Sequence, residues 1–206
     1  MMKKNKYWFV PAAWIGDTVA CIGGGPSLTQ EQVELCKDKV RAIVINDAYR
    51  LAPWADILYA CDLQWWRWHK GVPEFAGKKV TIDARAFDLF PDLKLLKNAG
   101  DSGLATVRNS IKTGRNSGYQ AINLAVHLGV KRILLLGYDM RPSNSGKTHW
   151  FGDHPQPTKP QIYQEKMLPH FRTLVSPLKD RGVEVINCTP GSALEDFPHE
   201  RLENVL

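Results

Sequence analysis

Short apolar runs that alternate with helical patterns constrain the fold of this chain more than any other feature. Helical spacing of apolar residues is clearest at 117–128, directly before an apolar run. Candidate strands lie at 17–22, 40–45, 56–61, 79–82, 104–107, 132–136 and 183–188, and a last helix covers 167–178. Strands that are apolar throughout are typical of a parallel sheet, because such a sheet is covered on both faces. The sequence therefore predicts an α/β protein with a mostly parallel sheet and helices on both faces.

Two capping-box patterns predict where helices begin. Ser27-x-x-Gln30 follows the first apolar run, and Ser117-x-x-Gln120 precedes the clearest helical pattern. Gly129 follows the last apolar residue of that second pattern and is the residue type that most often ends a helix.

Length and composition predict one ordinary globular domain. The 206 residues fit a single domain spanning 1–206, with no linker that would divide it. No apolar run approaches the roughly 18 residues of a membrane helix, and the first residues lack the apolar segment of a signal peptide, so we expect a cytoplasmic protein. The four cysteines form no Cys-x-x-Cys pair, which favours reduced thiols over disulfides or a zinc site. The net charge of +6 favours anionic partners such as nucleotide phosphates, nucleic acid or acidic lipid.

Polar residues follow several of the predicted strands at the point where each strand ends. Asn46, Asp62 and Asp139 occupy three such positions, and a glycine-rich turn occupies a fourth. Because the carboxyl ends of parallel strands meet at one edge of the sheet, we expect these residues to line a common crevice. The alternative is that each is an ordinary turn or cap residue.

The glycine-rich turn is the strongest local signal for a ligand. Three glycines allow a close approach of the backbone, and the predicted helix behind them offers free N–H groups to an anion. The turn is neither the dinucleotide fingerprint nor a P-loop, and a purely structural turn is the alternative. Its residues are Gly23, Gly24, Gly25, Pro26 and Ser27.

Two further segments have both a binding and a structural interpretation. Ser117 and Gly118 offer a hydroxyl and N–H groups at a helix start, which suits an anion, although capping alone explains the serine. Trp65, Trp66 and Trp68 follow directly on Asp62 and are able to stack on a base or sugar. Packing in the core is the favoured explanation for the tryptophans.

The connection at 141–160 is long for a compact domain and is predicted to be an active-site loop. Its cations are able to neutralise a leaving phosphate, and either histidine is able to take a proton from an acceptor hydroxyl. The two histidines and the aspartate lack helical phasing, so no metal site is predicted. These residues are Arg141, Lys147, His149, Asp153 and His154.

Seven segments of the chain together resemble a known group of proteins. In chain order they are Gly-Gly-Gly-Pro-Ser-Leu, the strands ending in Asn46 and Asp62, Ser117-Gly-Tyr, Leu-Gly-Tyr-Asp139, His149-Trp-Phe-Gly-Asp-His154, and Cys188-Thr-Pro-Gly-Ser-Ala-Leu-Glu-Asp-Phe197. This order is similar to that of the bacterial lipooligosaccharide sialyltransferases and of the related hydroxymethylpterin diphosphokinases. The similarity covers residues 19–197. The chain departs from the sialyltransferases at Gly24 and Asp62, where they carry asparagine.

The resemblance implies a Rossmann-like, doubly wound core and a nucleotide-dependent transferase. The first expectation is a glycosyltransferase that moves a sugar from a nucleotide-sugar, CMP-sugar or another, to a hydroxyl acceptor. The catalytic base is then His154, after a local insertion, or His149.

Two alternatives stay open at this point. One is an ATP-dependent diphosphokinase of a small alcohol, which needs Mg²⁺ and uses Asp62 and Asp139 as carboxylates. The other is a non-catalytic module that binds a nucleotide or nucleic acid. Donor, acceptor and a homo-oligomeric state are left open by the sequence.

Overall fold

The computed structural model describes residues 6–152 and 159–206. Its strands are β1 (Thr18–Ile22), β2 (Arg41–Ile45), β3 (Ile57–Tyr59), β4 (Lys78–Thr81), β5 (Lys94–Leu95), β6 (Lys97–Asn98), β7 (Ser110–Ile111), β8 (Arg132–Leu136) and β9 (Glu184–Asn187). Its α-helices are α1 (Gln30–Cys36), α2 (Leu63–Trp68), α3 (Ala84–Leu89), α4 (Ser117–Leu128) and α5 (Leu168–Asp180). A π-helical turn (Tyr163–Met167) leads into α5, and 3₁₀ turns cover Asn46–Arg50 and Leu202–Asn204.

Seven of the strands form one parallel sheet in the order β5-β4-β3-β2-β1-β8-β9, while β6 and β7 form a separate parallel pair. The chain builds outward from β1 to β5 and then returns to place β8 on the other side of β1. The order therefore reverses between β1 and β8. In open α/β sheets this reversal opens a crevice at the carboxyl ends of the two strands, where ligands bind.

Helices cover both faces of the sheet, as predicted. Successive residues of β1 alternate between two cores, with Val19 in one and Ala20 in the other. Phe171 of α5 packs in the first core, and Val33 of α1 and Trp66 of α2 pack in the second. The Rossmann-like α/β fold predicted from the sequence is confirmed, and the four cysteines are free thiols. Within the described ranges, no helix is both long and apolar enough to cross a bilayer.

Both predicted helix starts are wrong by one or two residues. Thr29 caps α1, and its hydroxyl accepts a hydrogen bond from the Gln32 N–H in a complete capping box. Asn116 caps α4 through its side-chain oxygen, so Ser117 is the first helical residue. The predicted end of α4 is confirmed, because Gly129 is its C-cap in the left-handed conformation at φ 93°.

The strand predicted at 104–107 is also wrong. Leu104 and Ala105 are buried, but this segment has no strand partner. The Ala105 N–H donates instead to the Asn123 side chain on α4, at 3.0 Å. Burial against a helix, rather than strand pairing, explains the apolar character of the segment.

Candidate functional site

A cleft of about 430 Å³ lies at the carboxyl edge of the sheet, at the β1–β8 reversal. Its walls come from the strand-end turns, the start of α4, α2, the loop after β8 and the π-helical turn. Eleven predicted site residues line it: Gly23, Gly24, Gly25, Pro26, Asn46, Asp62, Ser117, Gly118, Asp139, Arg141 and His149.

Two predicted site residues that the structure describes, Ser27 and Lys147, are not among the residues that line the cleft. Ser27 lies behind the glycine turn, where its backbone N–H donates to Asp139. Lys147 is exposed, and its backbone closes a tight loop with Ser143. His154 and the neighbouring Asp153 lie outside the described residues.

The three glycines of the turn have different roles. A Cβ at Gly23 would lie 2.7 Å from the Gly137 carbonyl oxygen, and a Cβ at Gly25 would overlap Asp139 Oδ2. A Cβ at Gly24 would meet only the His149 ring, at the ordinary distance of 3.4 Å. Gly23 and Gly25 are therefore required by packing against the turn after β8. Gly24 is the position in this turn where a side chain would find space in front of the His149 ring.

Asp139 holds the two central turns together. Its Oδ1 accepts a hydrogen bond from the Ser27 N–H at 3.0 Å, and its backbone carbonyl accepts one from Ala193 at 2.8 Å. Burial raises the pKa of this carboxyl, while the contacts with Ser27 and the charge of Arg141 oppose the rise. Asp139 Oδ2 is buried with no hydrogen-bond partner among the described residues. The carboxylate thus positions the glycine turn under the cleft.

The glycine turn does not feed directly into a helix, contrary to prediction. Leu28 and Thr29 separate the turn from α1, and the Thr29 capping box occupies N–H groups at the start of that helix. No residue of α1 is among those that line the cleft. At α4, by contrast, both Ser117 and Gly118 line the cleft.

The β2–β3 side of the cleft carries amide, thiol and carboxyl groups. Asn46 lines the cleft and has a left-handed backbone at φ 51°. The Ser117 hydroxyl donates to Cys61 Sγ at 3.2 Å, and the thiol donates to Asp62 Oδ2 at 3.3 Å. Burial, with the charge of Asp62, raises the pKa of the Cys61 thiol, so the group is a neutral donor at this wall.

The tryptophans belong mainly to the core, as favoured from the sequence. Trp65 and Trp66 are buried and Trp68 is half-buried, and both Trp65 and Trp68 line the cleft. The Trp65 indole N–H donates to the buried Asp47 at 2.8 Å, and the His69 ring stacks on Trp65. This network fixes α2 beside the cleft.

The loop after β8 brings His149 over the glycine turn. The Trp150 N–H donates to the Gly24 carbonyl at 3.2 Å, which ties the loop to the turn. His149 stacks on Phe151, and the Thr148 hydroxyl lies 2.9 Å from its Nδ1. Stacking and a hydrogen bond at one ring nitrogen orient the imidazole in the cleft.

The lining residues that the sequence interpretation missed include Arg115, Tyr163 and Met167. Arg115 precedes the Asn116 cap, has a left-handed backbone at φ 53° and pairs with Asp101 at 3.3 Å. Tyr163 and Met167 belong to the π-helical turn and also line the cleft. The one available signal was the position of Arg115 beside a helix start; a π-helical turn has no clear sequence signature.

No group of three or more candidate metal ligands occurs within residues 6–152 and 159–206. Comparison with family models, curated proteins and solved structures gives no match to this chain. The functional interpretation therefore depends on the residues of the cleft.

Proposed function

We propose that the protein is a nucleotide-dependent transferase, and specifically a glycosyltransferase that uses a nucleotide-sugar. The observation that carries the proposal is the convergence of Gly24, Asn46, Asp62 and Ser117 on one cleft that also contains His149. Such a cleft, at the reversal point of a parallel sheet, is the usual place for a nucleotide in this architecture.

The proposed chemistry is a direct displacement. His149 or His154 takes the proton of the acceptor hydroxyl, whose oxygen attacks the anomeric carbon of the donor sugar. The bond from that carbon to the phosphate oxygen breaks, and the nucleotide leaves with the bonding electron pair. Arg141 and Arg115, both lining the cleft, neutralise the leaving phosphate.

Nucleotide binding is tested by thermal unfolding with CMP, UDP, GDP and ATP, each with and without Mg²⁺. A ligand at 100 times its Kd stabilises the native state by about 2.7 kcal/mol. For a chain of this length that raises Tm by about 5 to 10 °C. Gly24→Ala should reduce the shift, because its methyl group points to the His149 ring at 3.4 Å. Absence of any shift with all four nucleotides would refute the proposal.

Turnover tests the chemistry separately. His149→Ala or His154→Ala should lower kcat about 100-fold or more while nucleotide binding persists. His170→Ala is a matched control, because His170 contacts Ser102 and is not among the residues lining the cleft. Normal turnover in both of the first two variants would contradict the mechanism.

An ATP-dependent diphosphokinase is the second candidate, favoured by Asp62 and Asp139 lining the same cleft. It predicts binding of ATP in preference to CMP and strict dependence on Mg²⁺. A non-catalytic module predicts a thermal shift without turnover, and nucleic-acid binding predicts a steep decrease in affinity with salt.

A further inference from the structure

The most exposed large apolar side chains of the described residues lie mainly on one face, at the edge of the sheet opposite the cleft. Ile15 is 76% exposed, Phe9 59% and Val107 55%. Ile15 precedes β1 and contacts the region of Gly129, which precedes β8, so both lie at the amino ends of the central strands.

Contacts of the N-terminal segment show that these side chains form one surface. The Val10 N–H donates to the Arg108 carbonyl at 2.9 Å, and the Arg108 guanidinium lies 5.7 Å from the Phe9 ring centroid. Arg108 also donates to the His127 carbonyl at 2.9 Å, near the end of α4. The Gly16 N–H donates to the carbonyl of Gly129, two residues after His127, at 3.1 Å. We call this surface, formed by Phe9, Ile15, Val107, Arg108 and Lys131, the Phe9–Ile15 face.

The charge of this face is positive. Arg108 and the exposed Lys131 have no carboxylate partner within the described ranges. The nearby acidic groups are already paired, since Asp17 binds Arg41 at 3.3 Å and Glu184 binds Arg132 at 2.6 Å. The groove beside the face is lined by two further cations, Lys97 and Lys112.

We propose that the Phe9–Ile15 face docks the protein on an anionic lipid surface. Protruding apolar side chains among cations match the interfacial region of an anionic bilayer, which accepts apolar groups and attracts positive charge. A second copy of the chain fits poorly, because a symmetric contact would oppose two positive faces. Docked in this way, the protein keeps its cleft on the side away from the lipid.

Sedimentation of the full chain with vesicles tests this proposal. We expect binding to vesicles of phosphatidylcholine with phosphatidylglycerol, much weaker binding to phosphatidylcholine alone, and a decrease with added salt. Ile15→Ser and Phe9→Ser should each weaken binding about tenfold. Lys131→Gln should weaken it about fivefold. Val175→Ser, which changes a 40% exposed residue on α5, is the matched control and should have no effect.

Four results would overturn the proposal. These are absence of binding to the anionic vesicles, equal binding to the neutral ones, and unchanged binding after both Ile15→Ser and Phe9→Ser. The fourth is evidence that something other than lipid covers the Phe9–Ile15 face. Such evidence would be a dimer in analytical ultracentrifugation that these substitutions abolish, or binding to polyglutamate without binding to vesicles. Thermal unfolding of each variant verifies that the loss of binding does not arise from unfolding.

Discussion

Alanine substitutions at two adjacent glycines should have opposite effects on stability. At Gly25 the new methyl group would overlap Asp139 Oδ2 and lie 2.6 Å from the Gly137 carbonyl oxygen. Overpacking of this kind costs about 1 to 3 kcal/mol, and the upper value applies because one neighbour is backbone that cannot rotate away. At Gly24 the methyl group has an ordinary contact and the φ lies outside the left-handed region, so reduced entropy of the unfolded chain should add about 0.4 to 1 kcal/mol.

The expected difference between the two variants is therefore about 3 kcal/mol or more in the free energy of unfolding. In thermal denaturation monitored by circular dichroism, Gly25→Ala should unfold about 6 to 12 °C below Gly24→Ala. Adding Asp139→Ala to Gly25→Ala should recover about 1 kcal/mol relative to the sum of the single changes, because it removes one of the two clashes. Equal melting temperatures for the two glycine variants would refute the packing described for this turn.

Three further predictions concern caps, pH and thiol reactivity. Thr29→Ala should lower the free energy of unfolding by about 1 kcal/mol in urea denaturation, because Thr29 caps α1. Ser27→Ala should lower it little, since the Ser27 hydroxyl has no partner in the described part of the chain. A larger loss for Ser27→Ala than for Thr29→Ala would contradict the Thr29 cap. Asp83→Asn should destabilise at pH 7, because the Arg85 side chain lowers the pKa of Asp83 in the folded state. That stability is present above the ordinary pKa of 3.8 and is lost as the pH falls through the lowered value. The melting temperatures of the wild-type protein and Asp83→Asn should therefore converge at low pH. A difference that stays constant with pH would contradict the prediction. Burial raises the pKa of Cys21 to about 12, so a disulfide reagent at pH 8 should modify this thiol only after denaturation. Peptide mapping identifies the modified cysteine. Rapid modification of Cys21 in the folded protein would contradict its burial in the core.

The sequence predicted six of the seven strands of the sheet, because these strands are mainly apolar and this pattern depends on local composition; the two-residue strand β5 was missed. The helix start at Ser27 was wrong because of a contact that local reasoning cannot supply. Ser27 donates its backbone N–H to Asp139, which is 112 residues away, so the turn continues to Thr29. The long-range contact with Asp139 therefore determines the conformation of Ser27, and the helix begins after Thr29 instead.

The cleft was predicted in part, for a similar reason. The strand ends after β2, β3 and β8 converge as the parallel topology requires, and Asn46, Asp62 and Asp139 line the same cleft. Arg115 was missed because its position beside a helix start was the one signal available, and its left-handed backbone, at φ 53°, has no specific sequence signature. The three glycines were interpreted as a ligand-binding turn, and all three line the cleft, but the packing of Gly23 and Gly25 against Gly137 was not foreseen.

The connection from β8 to α5 contributes to the cleft wall but little to the buried core. Among its described residues between Arg141 and Met167, only Thr148 is fully buried, yet His149, Phe151 and Tyr163 all form cleft wall. The floor beneath them is continuous with β1 and β8, because Gly23 and Gly25 donate to Leu136 and Gly137 beyond the strand ends. Exchange of this one segment would therefore change a wall of the cleft while the strand-end turns beneath it stay the same.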